Sequence, residues 1–254
     1  MRRESGGQIV NKWGSEKAMT RAIVTGGTRG IGLAVARAIL AQDGQVMITG
    51  RSQTGVDDAV RSLGAQSSES SRVAGSAVDV RDRKAVEALI ADTVKRFGGL
   101  DVLVNNAGVG AFAEVASMSD ADWDRTIATN LTGVFYCSRA AIPALKKSGG
   151  GWIINIASLA GRNYFPGGAA YCASKAGLVA FSEALMQEVR FDNIRVSVVM
   201  PGSVATAFGG GPVGVDDSWK LAPDDVAEVI ADLLRHLRRS LPSKIEIRPS
   251  QPKK

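Results

Sequence analysis

The sequence predicts an α/β fold: a doubly wound, mostly parallel sheet of seven strands with helices on both faces. Short β-branched runs alternate along the chain with longer amphipathic segments, which is the first sign of this fold. Several runs, such as WIINIA at 152–157, are apolar almost throughout, as in strands that are covered on both faces. No composition shift or internal repeat follows residue 19, so we expect residues 19–254 to form one domain.

The first half of the chain supplies the first four predicted strands and the three helices between them. Strands are predicted at the β-branched apolar runs 21–25, 45–49, 72–79 and 101–105. Helices are predicted where apolar residues recur at helical spacing, at 31–41, more weakly at 54–64, and at 82–97. Asp82 is expected to cap the third helix, and the Ser-rich stretch 65–71 is expected to form a loop.

The second half continues the alternation. Strands are predicted at 152–157, 195–200 and 244–247. Helices are predicted at 119–148, 170–190 and 223–239, and the glycines at 149–151 should end the first of them. The apolar faces of the two longer helices could pack on the sheet or join copies of the chain, and both uses remain open.

Composition and charge argue against several classes of protein. The 254 residues carry 31 Lys plus Arg against 25 Asp plus Glu, a net charge of +6 that is scattered rather than gathered into a nucleic-acid footprint. The single histidine, His236, supports neither a zinc site nor a Ser-His-Asp triad, so we expect no metal. The two cysteines form no CxxC pair, which favours a reducing compartment and the cytoplasm.

Residues 1–18 are polar and charged and contain no apolar core, so they do not resemble a secretory signal. The chain also has no apolar run long enough to suggest a membrane span. We expect residues 1–18 to form a loose tail, which is either an N-terminal extension ahead of the domain or an arm that joins copies of the chain.

A glycine-rich loop between the first strand and the first helix is the first candidate site. In TGGTRGIG at 25–32, Gly26 would permit a tight turn, Gly30 would let a pyrophosphate approach the backbone, and Gly32 would let the helix pack closely. The following helix begins with free N–H groups that attract anions. Thr28 and Ile31 lie in the same loop and are further candidates for contact with the pyrophosphate. A structural turn is the alternative for such a loop taken alone.

A tyrosine and a lysine form the second candidate site. Tyr171 and Lys175 lie about one helical turn apart, so a helix at 170–190 places them on one face. A nearby cation favours the phenolate, and we therefore expect Lys175 to lower the pKa of Tyr171. Tyr171 could then exchange a proton with a carbonyl or alcohol oxygen.

These segments resemble motifs of the short-chain dehydrogenase/reductase family in its single-domain form, which has a Rossmann-type fold. The match covers about residues 20–248. It rests on motifs that occur in the family's order, namely T-G-x-x-x-G-x-G at 25–32, Asp79-Val80, N-N-A-G at 105–108, Asn130, Ser158, Y-x-x-x-K at 171–175 and P-G-x-V-x-T at 201–206.

The resemblance implies roles for residues that composition and spacing do not assign. Ser158 would hold the substrate oxygen beside Tyr171, Lys175 would also bind the nicotinamide ribose, and Asn130 would complete a proton relay through water to Lys175. The implied cofactor contacts beyond the loop are Asp79, Val80, Asn106, Ala107, Gly108, Tyr171, Lys175, Pro201, Gly202, Val204 and Thr206. The substrate cleft would be lined by 109–112, 159–165 and 203–219.

The end of the second strand indicates which nicotinamide cofactor is preferred. An acidic residue there binds the free ribose of NAD, whereas this chain has Gly50-Arg51-Ser52. Arg51 would face the 2′-phosphate of NADP(H), and Arg29 could reach it from the glycine loop. We therefore expect NADP(H) to be preferred over NAD(H), with Ser52 among the contacts.

The predicted function is a hydride transfer between NADP(H) and a small-molecule carbonyl or secondary alcohol, with no nucleic acid or membrane as partner. By resemblance, a homotetramer or homodimer is expected. A 3-oxoacyl-acyl-carrier-protein reductase is one alternative, although the short segment after Thr206 and the C-terminal sequence weaken it. A non-enzymatic NADP(H) sensor is another, but the catalytic set is present. A sugar-nucleotide epimerase would need a further substrate lobe.

Overall fold

The computed structural model describes residues 19–65, 70–208, 217–237 and 239–252. The predicted tail at 1–18 and part of the segment after Thr206 lie outside them. The strands are β1 Arg21–Val24, β2 Gln45–Gly50, β3 Val73–Ala77, β4 Val102–Asn105, β5 Gly151–Ile156, β6 Ile194–Pro201 and β7 Lys244–Ile247. The helices are α1 Gly30–Ala41, α2 Gln53–Gly64, α3 Arg83–Phe97, α4 Asp120–Ile127, α5 Gly133–Lys147, α6 Ala169–Val189 and α7 Pro223–Arg235.

Within the described residues, the strands form one seven-stranded sheet in the order β3-β2-β1-β4-β5-β6-β7. Every pair of neighbouring strands is parallel. The predicted fold class is therefore confirmed. The chain leaves β1 toward β2 on one side, and β4 lies on the other side, so the order reverses between β1 and β4. Sheets of this type bind ligands in the crevice at that point, beyond the carboxyl ends of the strands.

The sheet is covered on both faces. Successive residues of a strand point to opposite faces, and Ala22 and Val24 of β1 pack in one apolar cluster while Ile23 packs in another. The first cluster includes residues of α1, α2 and α7, and the second includes residues of α3, α5 and α6. This burial on both sides explains why the central strands are apolar along most of their length.

Two predicted helices differ from the structure. The region 119–148 is interrupted by a π-helical turn, Ala128–Thr132, which separates α4 from α5. The last helix ends at Arg235 rather than at 239 because His236 adopts an extended conformation, with ψ of 144°. The carbonyl of His236 instead accepts a hydrogen bond from Arg195 at 3.3 Å.

The predicted cap of α3 is confirmed. The Asp82 carboxylate accepts hydrogen bonds from the backbone N–H groups of Lys84, at 2.8 Å, and Ala85, at 3.2 Å. Across the described ranges, every helix is too short or too polar to cross a membrane.

Candidate active site

A cleft of about 1290 Å³ lies at the carboxyl ends of the strands, where the strand order reverses. Most of the predicted site residues line it. They are Gly26, Thr28, Arg29, Gly30, Ile31, Arg51, Ser52, Asp79, Val80, Asn106, Ala107, Gly108, Ser158, Tyr171, Lys175, Pro201, Gly202, Val204 and Thr206. Gly32 and Asn130 do not line the cleft, and each contacts residues of its wall.

The glycine-rich loop has the geometry of a phosphate cradle. Gly26 and Gly30 have φ values of 63° and 54°, a region that favours glycine. A Cβ on Gly32 would lie 2.3 Å from the carbonyl oxygen of Gly26, so the first turn of α1 can approach the loop only with glycine there. No side chain caps α1 at Arg29, which leaves its N-terminus to be satisfied by an anion or by water. These features fit the pyrophosphate of a dinucleotide.

Asn106 holds this loop against the end of β4. Its amide nitrogen donates to the carbonyl oxygens of Thr25, at 2.9 Å, and Gly26, at 3.0 Å. The Thr25 hydroxyl in turn accepts from the backbone N–H groups of Asn106 and Ala107. Sequence reasoning treated Asn106 as a cofactor contact and did not single out the hydroxyl of Thr25. The structure shows that both side chains fix the loop itself.

Charged residues that follow β2 and β3 lie beside the glycine-rich loop. Arg51 is exposed directly after β2, and Ser52 caps α2 by accepting from the Gly55 N–H at 3.3 Å. Asp79, after β3, forms a salt bridge of 2.5 Å with Arg81. Hydrogen bonds from the side chain and backbone of Arg81, together with its charge, hold the pKa of Asp79 below its usual value despite partial burial, and the charge of Arg51 adds the smallest contribution.

Arg81 was missed by sequence reasoning. It lines the cleft beside Arg51, and its place two residues after Asp79 was the available signal. Three arginines therefore lie along this part of the cleft, against one carboxylate that is already paired.

Tyr171 and Ser158 meet at the opposite end, near the N-terminus of α6. Ser158 follows β5 and forms a hydrogen bond with Tyr171. Burial raises the pKa of Tyr171, and the hydrogen bond with Ser158 opposes that rise. At neutral pH the phenol therefore keeps its proton.

Lys175 lies on the same face of α6 and is 4% exposed. Its ammonium nitrogen is 5.8 Å from the centre of the Tyr171 ring and donates to the carbonyl oxygen of Ile156 at 2.8 Å. Burial lowers the pKa of Lys175 to about 8. The expected lowering of the Tyr171 pKa by Lys175 is not observed: burial raises that pKa, and the hydrogen bond with Ser158 is what opposes the rise.

Asn130 is fully buried in the π-helical turn. Its amide exchanges two hydrogen bonds of 2.9 Å with the backbone of Val109, and its nitrogen also donates to the Ser174 hydroxyl at 3.0 Å. Ser174 donates to the carbonyl oxygen of Tyr171 at 2.7 Å. The side chain thus joins the loop after β4 to the turn of α6 that carries Tyr171. Its role in a water relay stays a prediction.

The C-terminal segment also reaches the cleft, which the sequence did not indicate. Arg248, Pro249 and Pro252 follow β7 and line the cleft. A salt bridge of 2.7 Å joins Arg248 to Glu246.

A parallel doubly wound sheet with a glycine-rich loop before its first helix defines the class as a nucleotide-binding α/β protein. The sequence matches the family model described as short chain dehydrogenase over residues 20–211. The chain therefore belongs to the short-chain dehydrogenase/reductase family and is an oxidoreductase of that family.

Individual relatives agree. The 3-oxoacyl-acyl-carrier-protein reductase FabG of Haemophilus influenzae is 38% identical over 185 residues, which cover 73% of this chain and 74% of that protein. The alcohol dehydrogenase of the archaeon Thermococcus sibiricus, solved with 5-hydroxy-NADP, has a TM-score of 0.86 at 28% identity, covering 93% of this chain and 100% of that chain. A metagenomic short-chain oxidoreductase solved with NADP has a TM-score of 0.79 at 36% identity, covering 92% of this chain and 99% of that chain.

Proposed function

We propose that the protein is an NADP(H)-dependent carbonyl reductase in which residues 19–254 act as one cofactor-binding and catalytic domain. The observation that carries this proposal is the convergence of Ser158, Tyr171 and Lys175 in the cleft that also holds the glycine-rich loop. A phosphate cradle and a proton donor at two ends of one cleft suit hydride transfer to a carbonyl group.

The preference for NADP(H) over NAD(H) rests on charge. Arg29, Arg51 and Arg81 line the end of the cleft that would hold the adenosine ribose, and Gly50, Arg51 and Ser52 place no carboxylate after β2. Arginine offers a planar fork of donors to a phosphate, whereas a carboxylate would repel it. NADP ligands in two solved relatives are consistent with this preference.

The residues of this chain would act on the proton. NADPH, when bound, supplies the hydride. Ser158 would donate a hydrogen bond to the carbonyl oxygen of the substrate and hold it beside the Tyr171 hydroxyl. Because its pKa is raised, Tyr171 retains a proton at neutral pH and can give it to that oxygen. Lys175, charged below a pH of about 8, would stabilise the phenolate that remains and bind the nicotinamide ribose. Asn130 would support the return of a proton through water.

The test is a panel of ketones, 3-oxo esters, quinones and aldehydes, with NADPH and NADH oxidation followed in parallel. We expect turnover with a preference for NADPH. Equal turnover with both cofactors would contradict the preference but not the reaction. Tight binding of NADPH without any turnover would favour the alternative that the protein is a non-enzymatic NADP(H) sensor.

A 3-oxoacyl-acyl-carrier-protein reductase is the second candidate, favoured by the similarity to FabG. It is distinguished by comparing a 3-oxoacyl group on carrier protein with the same group on a short thiol. A strong preference for the carrier-bound form would support it.

For the assembly, we propose a homotetramer or homodimer located in the cytoplasm. Phe135, on α5, is 40% exposed and contacts Phe181 of α6, with ring centres 6.5 Å apart. An exposed aromatic ring that continues into a partly buried one on a second long helix is a surface that a second copy could cover. Both cysteines are free and buried, which suits a reducing compartment. Light scattering of the purified protein measures the mass of the assembly.

A further inference from the structure

Three phenylalanines surround the candidate proton donor, and we name them the phenylalanine wall: Phe112, Phe165 and Phe208. They come from three separate loops, after β4, β5 and β6, and all line the cleft. Their exposed fractions are 51%, 44% and 43%. Large apolar side chains that are gathered and exposed in a cleft mark a binding surface more often than isolated ones do.

The wall is in direct contact with Tyr171. The ring centres of Phe112 and Phe208 each lie 5.6 Å from that of Tyr171, and Phe112 lies 6.1 Å from Phe165. The Phe112 ring meets the tyrosine edge-on, with an interplanar angle of 64°. A carbonyl oxygen held at the Tyr171 hydroxyl would therefore have aromatic rings close to its substituents.

Two glycines make room for this arrangement. A Cβ on Gly110 would lie 2.8 Å from the Phe208 ring and 2.9 Å from the Phe112 ring. A Cβ on Gly168 would lie 2.5 Å from the Phe165 ring. Both distances are shorter than ordinary van der Waals contact, so a side chain at either position would force the rings to move.

The charged residues around this end limit the ligand further. Arg248 and Lys220 line the cleft, and each is paired with a carboxylate, Glu246 and Asp217 respectively. Among the described lining residues, the cleft has a single carboxylate, Asp79, at the nucleotide end. Because the carboxylates of Glu246 and Asp217 are already paired with cations, a neutral apolar compound suits the wall better than a cationic one.

From this arrangement we infer that the substrate is a carbonyl compound with an aromatic ring beside the carbonyl carbon, bound against the phenylalanine wall. The inference rests on the proposed function for its chemical step. Aromatic rings gain energy beyond simple burial when their centres lie about 4.5–7 Å apart in offset or edge-on contact. A linear alkyl chain would bury similar area without that gain.

The experiment compares two neutral methyl ketones with the same number of carbon atoms, phenyl methyl ketone and 2-octanone. For each, kcat/KM with NADPH is measured, and Kd for the protein saturated with NADP⁺ is measured by calorimetry. We expect a preference of about tenfold for the phenyl ketone in both quantities, as two aromatic contacts would give.

Three variants assign that preference to the wall. Phe112→Leu and Phe208→Leu keep apolar bulk and remove a ring, and Gly110→Ala displaces both rings without removing either. Each should bring the preference to within about threefold of unity while the Kd for NADPH stays the same. The matched control is Phe191→Leu, at a phenylalanine that is 90% exposed and does not line the cleft. It should retain the full preference.

The outcomes separate this inference from the proposed function. Reduction of both ketones at equal efficiency would overturn the inference and leave the function standing. Selective binding of the phenyl ketone without reduction would support the aromatic site and overturn the function. Failure of both ketones to bind would overturn the inference, and so would a loss of oligomeric mass in the leucine variants, since the wall would then belong to an interface.

Discussion

The two ends of the cleft are built in different ways. The nucleotide end is built around one continuous segment, residues 25–32, in which Gly26 and Gly32 lie so close to their neighbours that side chains are excluded. The substrate end consists of the phenylalanine wall and Tyr171, which come from three distant parts of the chain and leave large side chains exposed. The glycine-rich loop depends on its backbone geometry, whereas the substrate end depends on its side chains.

This difference separates the part of the site that a short motif can encode from the part that depends on distant loops. A phosphate cradle requires particular backbone angles, and a short motif encodes them wherever the strand–helix context occurs. The substrate end imposes few backbone constraints, so its loops can change without loss of the fold. Variants at the two ends should therefore affect different steps, which the following changes test.

The largest effect is expected for Tyr171→Phe. Loss of the hydroxyl removes the proposed proton donor and should lower kcat by at least about 10²–10⁴-fold. The Kd for NADPH should stay within a factor of a few, since the ring remains in place. Stopped-flow turnover and fluorescence titration measure the two quantities.

The control for this change is Tyr164→Phe, at an exposed tyrosine that does not line the cleft. It should retain full activity. Activity of Tyr171→Phe close to that of the wild type would remove Tyr171 from the mechanism.

Arg51→Asp tests the nucleotide end alone. It replaces a donor to the 2′-phosphate with a repelling charge, and we expect the KM for NADPH to rise by about 10–100-fold. The KM for NADH, which has no 2′-phosphate, should change little or improve. Steady-state kinetics with both cofactors measure the ratio.

Arg61→Asp makes the same charge change on the exposed surface of α2, outside the cleft. It should alter neither KM by more than a small factor. A parallel rise in both constants for Arg51→Asp would show that Arg51 does not distinguish the cofactors.

Sequence reasoning predicted the fold and the backbone geometry of the glycine-rich loop closely because both depend on local patterns. The strand runs, the cap at Asp82 and the positions of Gly26 and Gly30 each follow from a few neighbouring residues. Only the tertiary structure reveals the contacts between distant segments. The amide of Asn106 holds residues 25 and 26, about eighty positions earlier in the chain, and no local pattern indicates that pairing.

The same limit explains the errors and omissions. The π-helical turn around Asn130 has no distinct periodicity, and Asn130 bonds there to Val109 and Ser174, which lie far away in the sequence. The carbonyl of His236, just beyond the end of α7, likewise bonds to Arg195 of β6, which no local pattern near residue 236 indicates. The wall was predicted only as segments of lining residues, because its ring contacts join three loops.

Lys175 lies between the two ends of the cleft, and its replacement should separate stability from function. The pKa of the buried amine is about 8, against 10.5 for an unperturbed lysine, so the folded protein binds the proton less tightly than the unfolded chain does. Below pH 8 both states are charged, and burial of the charge costs about 3 kcal/mol. Between pH 8 and 10.5 the folded state is neutral and this cost declines.

Lys175→Met removes the charge and keeps a similar length. We expect loss of activity together with a gain in unfolding free energy of about 1–2 kcal/mol at pH 7, since the unpaired carbonyl of Ile156 offsets part of the benefit. The gain should shrink as the pH rises from 8 toward 10.5, because only the wild type is stabilised over that range. Urea denaturation at several pH values measures the difference.

Lys84→Met, at an exposed lysine of α3, is the control and should show a small difference in stability that does not change with pH. A pH-independent loss of stability in Lys175→Met would mean that the lysine supports the fold through its hydrogen bond, with its charge kept at little cost.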